Sequence, residues 1–160
     1  MPTVRRSIIV DAPIEITFDL SNRIDIWPEM MEEYKEAEIL RREGRMIWFR
    51  LRHQNGVEWT SWRMLHPPDF ACAERFEPKA PFKFMHIVWT YKAAGGAAQT
   101  EMTWDMCFEL PDDQKAREDE WAANMTRHTE LNQSRMKAYI EGHAKKIDGR
   151  AEQAEQAHGQ

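Results

Sequence analysis

The sequence lacks the features that mark membrane, secreted and nucleic-acid-binding proteins. No stretch of the 160 residues approaches the roughly 18 to 20 apolar residues that a membrane-spanning helix needs. Residues 1–13 carry no apolar core of the kind found in signal peptides. Twenty-seven acidic residues against 22 lysines and arginines give a formal net charge of −5, and no segment is strongly basic. We therefore expect a cytoplasmic protein that binds neither membrane nor nucleic acid.

Cysteine is scarce, and the common cofactor motifs are absent. The two cysteines, Cys72 and Cys107, are far apart and show no CxxC spacing, so we expect two buried thiols rather than a disulfide framework or a thiolate metal site. The six histidines show no metal-ligand spacing. There is no GxGxxG, P-loop, HExxH or GxSxG motif. The sequence therefore implies no metal and no nucleotide cofactor.

Apolar and aromatic residues are plentiful. Hydrophobic residues make up 42% of the chain, with seven tryptophans and ten methionines, which is enough for a core and for an apolar pocket. Flat and flexible apolar side chains suit a planar ligand, although methionine also fills irregular cores. The length predicts one domain, residues 1–147. Residues 148–160, rich in Ala, Glu and Gln, are predicted to form a flexible C-terminal tail.

The order of predicted elements indicates an α+β fold. Residues 4–10 read as a strand, followed by a helix with Pro13 at its first position. Residues 14–34 fit two short helices. Strand-like runs separated by turn signals fill residues 36–110, which is typical of an antiparallel meander of about six further strands. A helix of residues 116–143 closes the series, and a sheet curved around it would enclose a cavity.

One strand places an arginine among aromatic residues. Alternation over residues 57–65 puts Val57, Trp59, Ser61, Arg63 and Leu65 on one face. If that face points inward, the guanidinium of Arg63 needs a carboxylate, a carbonyl or a ligand beside it. If it points outward, Arg63 is an ordinary solvated charge. The spacing alone leaves both interpretations open.

The long helix carries polar residues within an otherwise apolar stripe. At 100° per residue, one stripe contains Trp121, Met125, His128, Asn132, Met136, Tyr139 and His143. His128 and Asn132 lie in its middle, where a purely structural helix usually has Leu or Ile. Their position indicates a ligand-filled cavity, whereas a histidine satisfied by a neighbouring group is the alternative. Met85 with Trp89, and Trp104 on the next strand, could belong to such a cavity or to an ordinary core.

Five segments, taken in order, carry a family resemblance. They are residues 7–13, 27–28 with 34–40, 58–63, 81–85 with 89–91, and 100–104. Over about residues 7–141 the chain resembles the single-domain aromatase/cyclases of bacterial type II, or aromatic, polyketide synthesis, of the tetracenomycin and spore-pigment kind. This resemblance implies the helix-grip fold of the START and birch-pollen-allergen superfamily, with Trp59, Ser61 and Arg63 facing inward.

The resemblance also implies a set of site residues. Those expected to be catalytic are Arg63, Tyr34 and Ser61. Those expected to bind substrate are Trp27, Trp59, Arg75, Met85, Trp89, Trp104, His128 and Asn132. The match weakens on the long helix, where Arg135 stands in place of an asparagine that the family places before a methionine. Asn132 is the candidate to replace it.

The activity implied by the resemblance is a lyase-like polyketide cyclisation in antibiotic or spore-pigment biosynthesis. The first ring of a poly-β-ketone would close by a regiospecific aldol reaction and then lose water. The expected partners are an acyl carrier protein, which bears the polyketide on phosphopantetheine, and a minimal polyketide synthase. Two alternatives stay open. One is a non-catalytic helix-grip protein that binds or carries a lipid or an aromatic small molecule, and the other is a chaperone-like subunit that only shapes the product.

Overall fold

The protein is built on one antiparallel sheet that curves around a long helix. The computed structural model describes residues 1–96 and 98–159. Seven strands pair in the order β1-β7-β6-β5-β4-β3-β2. They are β1 (Thr3–Val10), β2 (Tyr34–Glu43), β3 (Met46–His53), β4 (Glu58–His66), β5 (Phe70–Glu77), β6 (Phe84–Ala93) and β7 (Thr100–Glu109). The predicted α+β fold with about seven antiparallel strands is confirmed.

Three α-helices accompany the sheet, as the sequence predicted. They are α1 (Ile14–Ser21), α2 (Trp27–Met30) and α3 (Glu118–His158). Short 3-10 helices precede α2 and α3. Pro13 lies one residue before α1 rather than at its first position, and its carbonyl accepts the N–H of Thr17 at 2.9 Å. The ring of proline fixes φ at a value that suits this entry into a helix.

The first strand brings the long helix onto the sheet. β1 pairs with β7, from Thr3 opposite Cys107 to Val10 opposite Thr100, whereas the other pairs join strands that are consecutive in the chain. The side-chain amide of Gln133 on α3 donates to the carbonyl oxygens of Arg6 and Met102, each at 3.1 Å. These bonds fix α3 over β1 and β7. The inner faces of the remaining strands are therefore left to enclose a cavity.

The buried face of α3 differs from the predicted stripe. Its buried residues from the second turn onward are Thr129, Asn132, Gln133, Met136, Ile140 and Ala144. His143, which was placed in the stripe, is exposed, and so is His128. Asn132 and Met136 belong to both sets, but at 100° per residue the buried set is centred about 70° further round the helix than the predicted one. The face that packs against the sheet is therefore turned toward Gln133 and Ile140, and His128 lies outside it.

α3 also ends later than expected. The predicted end was near residue 143, but the helix continues to His158. Alanine, glutamate and glutamine, which fill this segment, are strong helix formers, and Gly142 and Gly149 do not interrupt it. Residues 148–158 are thus helical and largely exposed. The flexibility of the tail stays a prediction, and Gln160 lies outside the described residues.

The two cysteines are free and only half-buried, so the expectation that both are buried was wrong. On β5, alternation turns Ala71 and Ala73 inward and leaves Cys72 on the outer face.

None of the helices in residues 1–96 and 98–159 combines the length and the apolar character that crossing a membrane requires.

We predict that Met136→Ala lowers the free energy of unfolding by about 2–5 kcal/mol, because it opens a cavity where α3 meets the core. Met136 is fully buried. Leu131→Ala on the same helix, at a side chain that is 48% exposed, should change stability by no more than about 0.5 kcal/mol. Urea unfolding followed by circular dichroism measures both, and equal losses would show that α3 does not pack as described.

Candidate functional site

A cavity of about 400 Å³ lies between the inner face of the sheet and α3. Its size falls within the range of small-molecule sites, about 300–1,000 Å³. Five of the chain's seven tryptophans line it, namely Trp27, Trp59, Trp89, Trp104 and Trp121. Indole rings give the cavity flat apolar walls. Most of the tryptophans in the sequence therefore lie in the wall of one cavity.

All eleven residues that the resemblance assigned to a site line this cavity. They are Arg63, Tyr34, Ser61, Trp27, Trp59, Arg75, Met85, Trp89, Trp104, His128 and Asn132. The face of β4 that the spacing left undecided, with Trp59, Ser61 and Arg63, therefore points inward. Their roles toward a ligand stay a prediction.

Arg63 is the largest side chain among the fully buried ones, with 1% of its surface exposed. Its Nε donates to Oδ1 of Asn22 at 2.7 Å. The guanidinium carbon lies 4.1 Å from the centroid of the Trp89 ring and 5.7 Å from that of Trp27. Nη2 has no hydrogen-bond partner among the described residues. Burial lowers the pKa of Arg63, and the Tyr91 hydroxyl beside it partly offsets that shift.

Two alanines of β5 allow Arg63 to reach the tryptophan. Arg63 of β4 is paired with Ala73, and Ala71 is paired with Trp89 of β6. Both alanines are buried and face inward. Because their side chains are short, the guanidinium extends across β5 and lies against the indole, where a cation–π interaction contributes about 0.5–2 kcal/mol.

The partner of Arg63, Asn22, was not anticipated from the sequence. It directly follows α1, and its Nδ2 donates to the Phe18 carbonyl at 2.8 Å and to the Tyr91 hydroxyl at 3.1 Å. The Tyr91 hydroxyl is also within 2.8 Å of Ser21 Oγ. These bonds fix Oδ1 of Asn22 as the acceptor for Arg63. Nothing in the spacing marks such a residue, since an asparagine after a helix is ordinary.

Two more buried donors line the cavity without a partner. One belongs to Trp104, whose ring stacks on that of Trp89 with 3.9 Å between the centroids and 1° between the planes. Nε1 of Trp104 and Nε1 of Trp121 have no hydrogen-bond partner in the described part of the chain, whereas Nε1 of Trp27 donates to the Ser21 carbonyl at 2.9 Å. Together with Nη2 of Arg63, three N–H donors can therefore meet oxygen atoms of a ligand.

Tyr34 lies in the cavity wall between two tryptophans. Its ring is stacked near Trp27, with 6.1 Å between centroids, and meets Trp59 edge-on at 6.2 Å. Burial raises the pKa of Tyr34 well above its ordinary value, and the neighbouring Glu33 carboxylate raises it further. The phenol is therefore protonated at neutral pH. Ser61, which is 6% exposed, brings a second hydroxyl to the same cavity.

Arg75 holds the connection between β5 and β6 at the cavity. Its Nε donates to the Pro78 carbonyl at 2.9 Å, and its Nη2 donates to the Ala80 carbonyl at 2.8 Å. The guanidinium carbon lies 4.7 Å from the centroid of Trp59. Burial lowers the pKa of Arg75, and Tyr34 opposes that shift. Arg75 thus shapes the wall, and any contact with a ligand stays a prediction.

Glu33, which was not among the predicted site residues, contacts the two that were predicted on α3. Asn132 Nδ2 donates to Glu33 Oε1 at 2.7 Å, and His128 Nδ1 lies 3.2 Å from Oε2. His128 is 61% exposed and Glu33 only 17%. The adjacent Glu32 pairs with Arg135 at 2.9 Å. Two successive glutamates before a strand resemble an exposed charged segment, so no local pattern indicates that only Glu33 lines the cavity.

Comparison with protein families adds a match along most of the chain. Residues 1–141 match the family described as polyketide cyclase / dehydrase and lipid transport. A Streptomyces cyaneus protein named "Putative polyketide cyclase" is 32% identical over 111 residues, which are 66% of this chain and 72% of that protein. A Streptomyces halstedii protein of the same name is 33% identical over 90 residues, 53% of this chain and 83% of that one.

Solved structures share the fold at low sequence identity. The Zhui aromatase/cyclase from Streptomyces sp. R1128 has a TM-score of 0.72 and 19% identity, covering 90% of this chain and 93% of that one. A START superfamily protein from Mycobacterium smegmatis has a TM-score of 0.62 and 15% identity, covering 91% and 98%. These similarities show the helix-grip fold that the resemblance implied.

Replacing Trp27 or Trp104 with Phe should destabilise the protein to different degrees, because only the indole N–H of Trp27 has a protein partner. In Trp27→Phe the Ser21 carbonyl loses its donor, which costs about 0.5–1.5 kcal/mol beyond the loss of ring volume. In Trp104→Phe no protein hydrogen bond is lost. We expect Trp27→Phe to be the more destabilising variant by about 1 kcal/mol in chemical unfolding. A larger loss for Trp104→Phe would mean that its N–H has a protein partner after all.

Stability should fall as the pH rises past the ordinary tyrosine pKa of about 10. Burial raises the pKa of Tyr34, and it also raises the pKa of Tyr91. Between the unfolded and folded pKa values the folded state binds more protons, so raising the pH favours unfolding. Urea unfolding across this interval measures the slope, which should be shallower for Tyr34→Phe than for wild type. Equal slopes would contradict the raised pKa of Tyr34.

Proposed function

The chain belongs to the polyketide cyclase / dehydrase and lipid transport family, and from this premise we propose that it is a polyketide cyclase and aromatase. It closes the first ring of a poly-β-ketone by an intramolecular aldol reaction and then removes water. Membership alone does not separate cyclisation from transport, because the family description includes both. The contents of the cavity support the cyclase.

The observation that carries the proposal is a buried guanidinium with a free N–H in a cavity walled by tryptophan. A carrier that holds its ligand by apolar contact alone gains nothing from a charge that is costly to bury. Arg63 Nη2, Trp104 Nε1 and Trp121 Nε1 are donors without protein partners, so they favour a ligand with several acceptor oxygens. A poly-β-ketone carries a carbonyl on every second carbon and fits this requirement.

In the proposed reaction, a methylene between two carbonyls loses a proton, and the resulting enolate carbon attacks a ketone further along the chain. A carbon–carbon bond forms, and the ketone oxygen becomes an alkoxide. Arg63 donates to that oxygen as its charge develops. A donor fixed in advance in a site with little water stabilises such a charge strongly, and Asn22 Oδ1 keeps the guanidinium in place.

Tyr34 and Ser61 supply the hydroxyl groups for proton transfer. Burial and the Glu33 carboxylate raise the pKa of Tyr34, so this phenol acts as a proton donor or as part of a relay rather than as a free base. A methylene flanked by two carbonyls is already acidic. The reaction therefore needs a well-placed relay more than a strong base.

The walls of the cavity would choose which carbons meet. A flexible poly-β-ketone has many conformers, and a cavity of about 400 Å³ admits few of them. The stacked pair of Trp89 and Trp104 is rigid, so the conformational entropy of the ligand is lost on binding and not at the transition state. Regiospecificity then follows from the shape of the cavity.

We propose that the substrate arrives as a thioester on the phosphopantetheine arm of an acyl carrier protein, with a minimal polyketide synthase as its source. The Streptomyces relatives named as polyketide cyclases support this setting. A poly-β-ketone free in water would cyclise at random, so delivery on a carrier suits a site that controls regiochemistry.

The test is reconstitution of the chain with a minimal polyketide synthase and its carrier protein. We expect wild type to redirect shunt products to one cyclised aromatic skeleton, identified by mass spectrometry and NMR. Arg63→Met, which keeps the length of the side chain and removes the charge, should lower the rate about 10²–10³-fold, the usual loss for one oxyanion donor. Arg50→Met, at an exposed arginine of β3, should retain the wild-type profile.

If the chain is instead a non-catalytic protein that binds or carries a lipid or an aromatic small molecule, the same experiment gives a different pattern. Wild type would leave the product profile equal to that of a reaction without the protein, and Arg63→Met would bind ligand as wild type does. A chaperone-like subunit would redirect products even without Arg63. Either pattern contradicts the proposed catalysis, provided that circular dichroism shows the variants to be folded.

A further inference from the structure

We propose that the indole N–H of Trp121 holds a second carbonyl oxygen of the substrate, one that does not react, and that this anchor restricts which methylene can reach the ketone at Arg63. The inference rests on the proposed cyclase function and adds a specificity residue to that site. Trp121 belongs to the predicted stripe of α3, but not to the site residues that the family resemblance implied.

The indole N–H of Trp121 is a buried donor without an acceptor. Trp121 lines the cavity, and its Nε1 has no hydrogen-bond partner within residues 1–96 and 98–159. Buried polar groups are almost always bonded, because an unpaired one loses its bonds to water and gains nothing in return. A carbonyl oxygen of a bound ligand is the kind of acceptor that this donor lacks.

The position of the Trp121 ring is fixed before a ligand binds. The ring meets that of Phe82 edge-on, with 5.3 Å between the centroids, and Phe82 meets Phe108 in the same way at 5.8 Å. Phe82 and Phe108 are buried. The N–H of Leu110 donates to Glu118 Oε1 at 3.2 Å, which ties the start of α3 to the residue that follows β7. The donor is therefore held by its neighbours, and binding a ligand requires little further ordering of this side chain.

The register of the strands separates Trp121 from Arg63. The guanidinium of Arg63 lies against Trp89 of β6. Phe108, which belongs to the apolar cluster of Trp121, is paired with Met85 of the same strand. Met85 and Trp89 are four residues apart, which corresponds to about 13 Å at about 3.3 Å per residue. The two donors can therefore contact different carbonyls of one chain.

The other unpaired indole donor lacks this separation. Trp104 is paired with Trp89 and stacks on it with 3.9 Å between the centroids, so it lies in the same part of the cavity as the guanidinium of Arg63. Of the two unpaired indoles, Trp121 is therefore the one suited to a carbonyl that lies away from the reacting ketone.

Trp121 lies near the opening of the cavity. The exposed residues of the lining are Asn55, Val57, Ala80 and His128. Ala80 is two residues before Phe82, which contacts Trp121. A substrate tethered to a carrier protein enters from the solvent side. The part of the chain that meets Trp121 is then closer to the thioester than the part that meets Arg63.

Two fixed donors restrict how the chain can bend. A chain that is held only at Arg63 can bring several of its methylenes to the ketone there. If a second oxygen is held at Trp121, the carbon atoms between the two held carbonyls must span a fixed distance, and fewer conformers remain. The methylene that closes the ring is then selected before the carbon–carbon bond forms.

The test removes the N–H of Trp121 in the reconstituted synthase and measures the ratio of the main cyclised skeleton to the other cyclised products. One variant is Trp121→Phe. In a second variant, benzothienylalanine is incorporated at position 121, which keeps the shape of the ring and replaces the N–H by sulfur. We expect both to lower the ratio about 2–10-fold, the effect of losing one neutral hydrogen bond. The total cyclised product should change less, because Arg63 is intact.

Trp62→Phe is the matched control. Alternation along β4 puts Trp62 on the outer face of the sheet, whereas Ser61 and Arg63 line the cavity. The same truncation there removes an indole outside the cavity and should retain the wild-type ratio. The benzothienylalanine variant keeps the packing against Phe82, so the test does not depend on the folding of Trp121→Phe.

The two variants distinguish the N–H from the volume of the ring. If Trp121→Phe lowers the ratio and the benzothienylalanine variant does not, ring volume selects the product and the proposed anchor is wrong. A wild-type ratio in both variants contradicts the anchor as well, while the cyclase function stands. If wild type itself gives the product profile of a reaction without the protein, the proposed function fails together with this inference.

Discussion

The site depends on the burial of one guanidinium without a carboxylate. Removing an ion from water costs several kcal/mol, and at Arg63 the compensation comes from an amide oxygen and two indole faces. A carboxylate partner would neutralise the charge and leave little for a ligand. Asn22 after α1 and the two alanines of β5 keep the guanidinium in place, but Nη2 of Arg63 has no hydrogen-bond partner among the described residues.

The polar groups of the cavity are divided by type. Donors without protein partners are found at Arg63, Trp104 and Trp121, whereas the carboxylate of Glu33 is bonded to α3. A ligand with carbonyl oxygens therefore finds free donors in the interior, and the two carboxylates that line the cavity, Glu33 and Glu74, each lie beside other protein groups. The aromatic walls between them supply contact area without adding competing hydrogen-bonding groups.

Much of the fold followed from local patterns. Alternation and turn signals predicted the meander, and a segment free of proline predicted α3. The helix face was misjudged because residue type alone placed the stripe, and the end of α3 was misjudged because a segment rich in Ala, Glu and Gln was interpreted as a flexible tail. Only the first error concerns packing, because contact with β1 and β7 selects the buried face of α3, whereas the exposed end of the helix follows the helix preference of its residues.

The residues of the site were predicted from the family resemblance and not from local sequence patterns. It placed eleven residues around one cavity, although periodicity alone could not turn β4 inward. Asn22 and Glu33 were not predicted, because the residues that they contact, Arg63 and Asn132, are 41 and 99 residues away in the chain. A short-range pattern contains no information about such pairs. They become visible only when α1, β4 and α3 are brought together.

The two inward alanines of β5 have a consequence for how such a cavity can diversify. Ala71 and Ala73 lie beneath the guanidinium and beside the indole of Trp89, so a larger side chain at either position would fill the space through which Arg63 reaches that ring. The depth of the cavity and the position of its buried charge are therefore set by the same two residues, so a change in the one brings a change in the other.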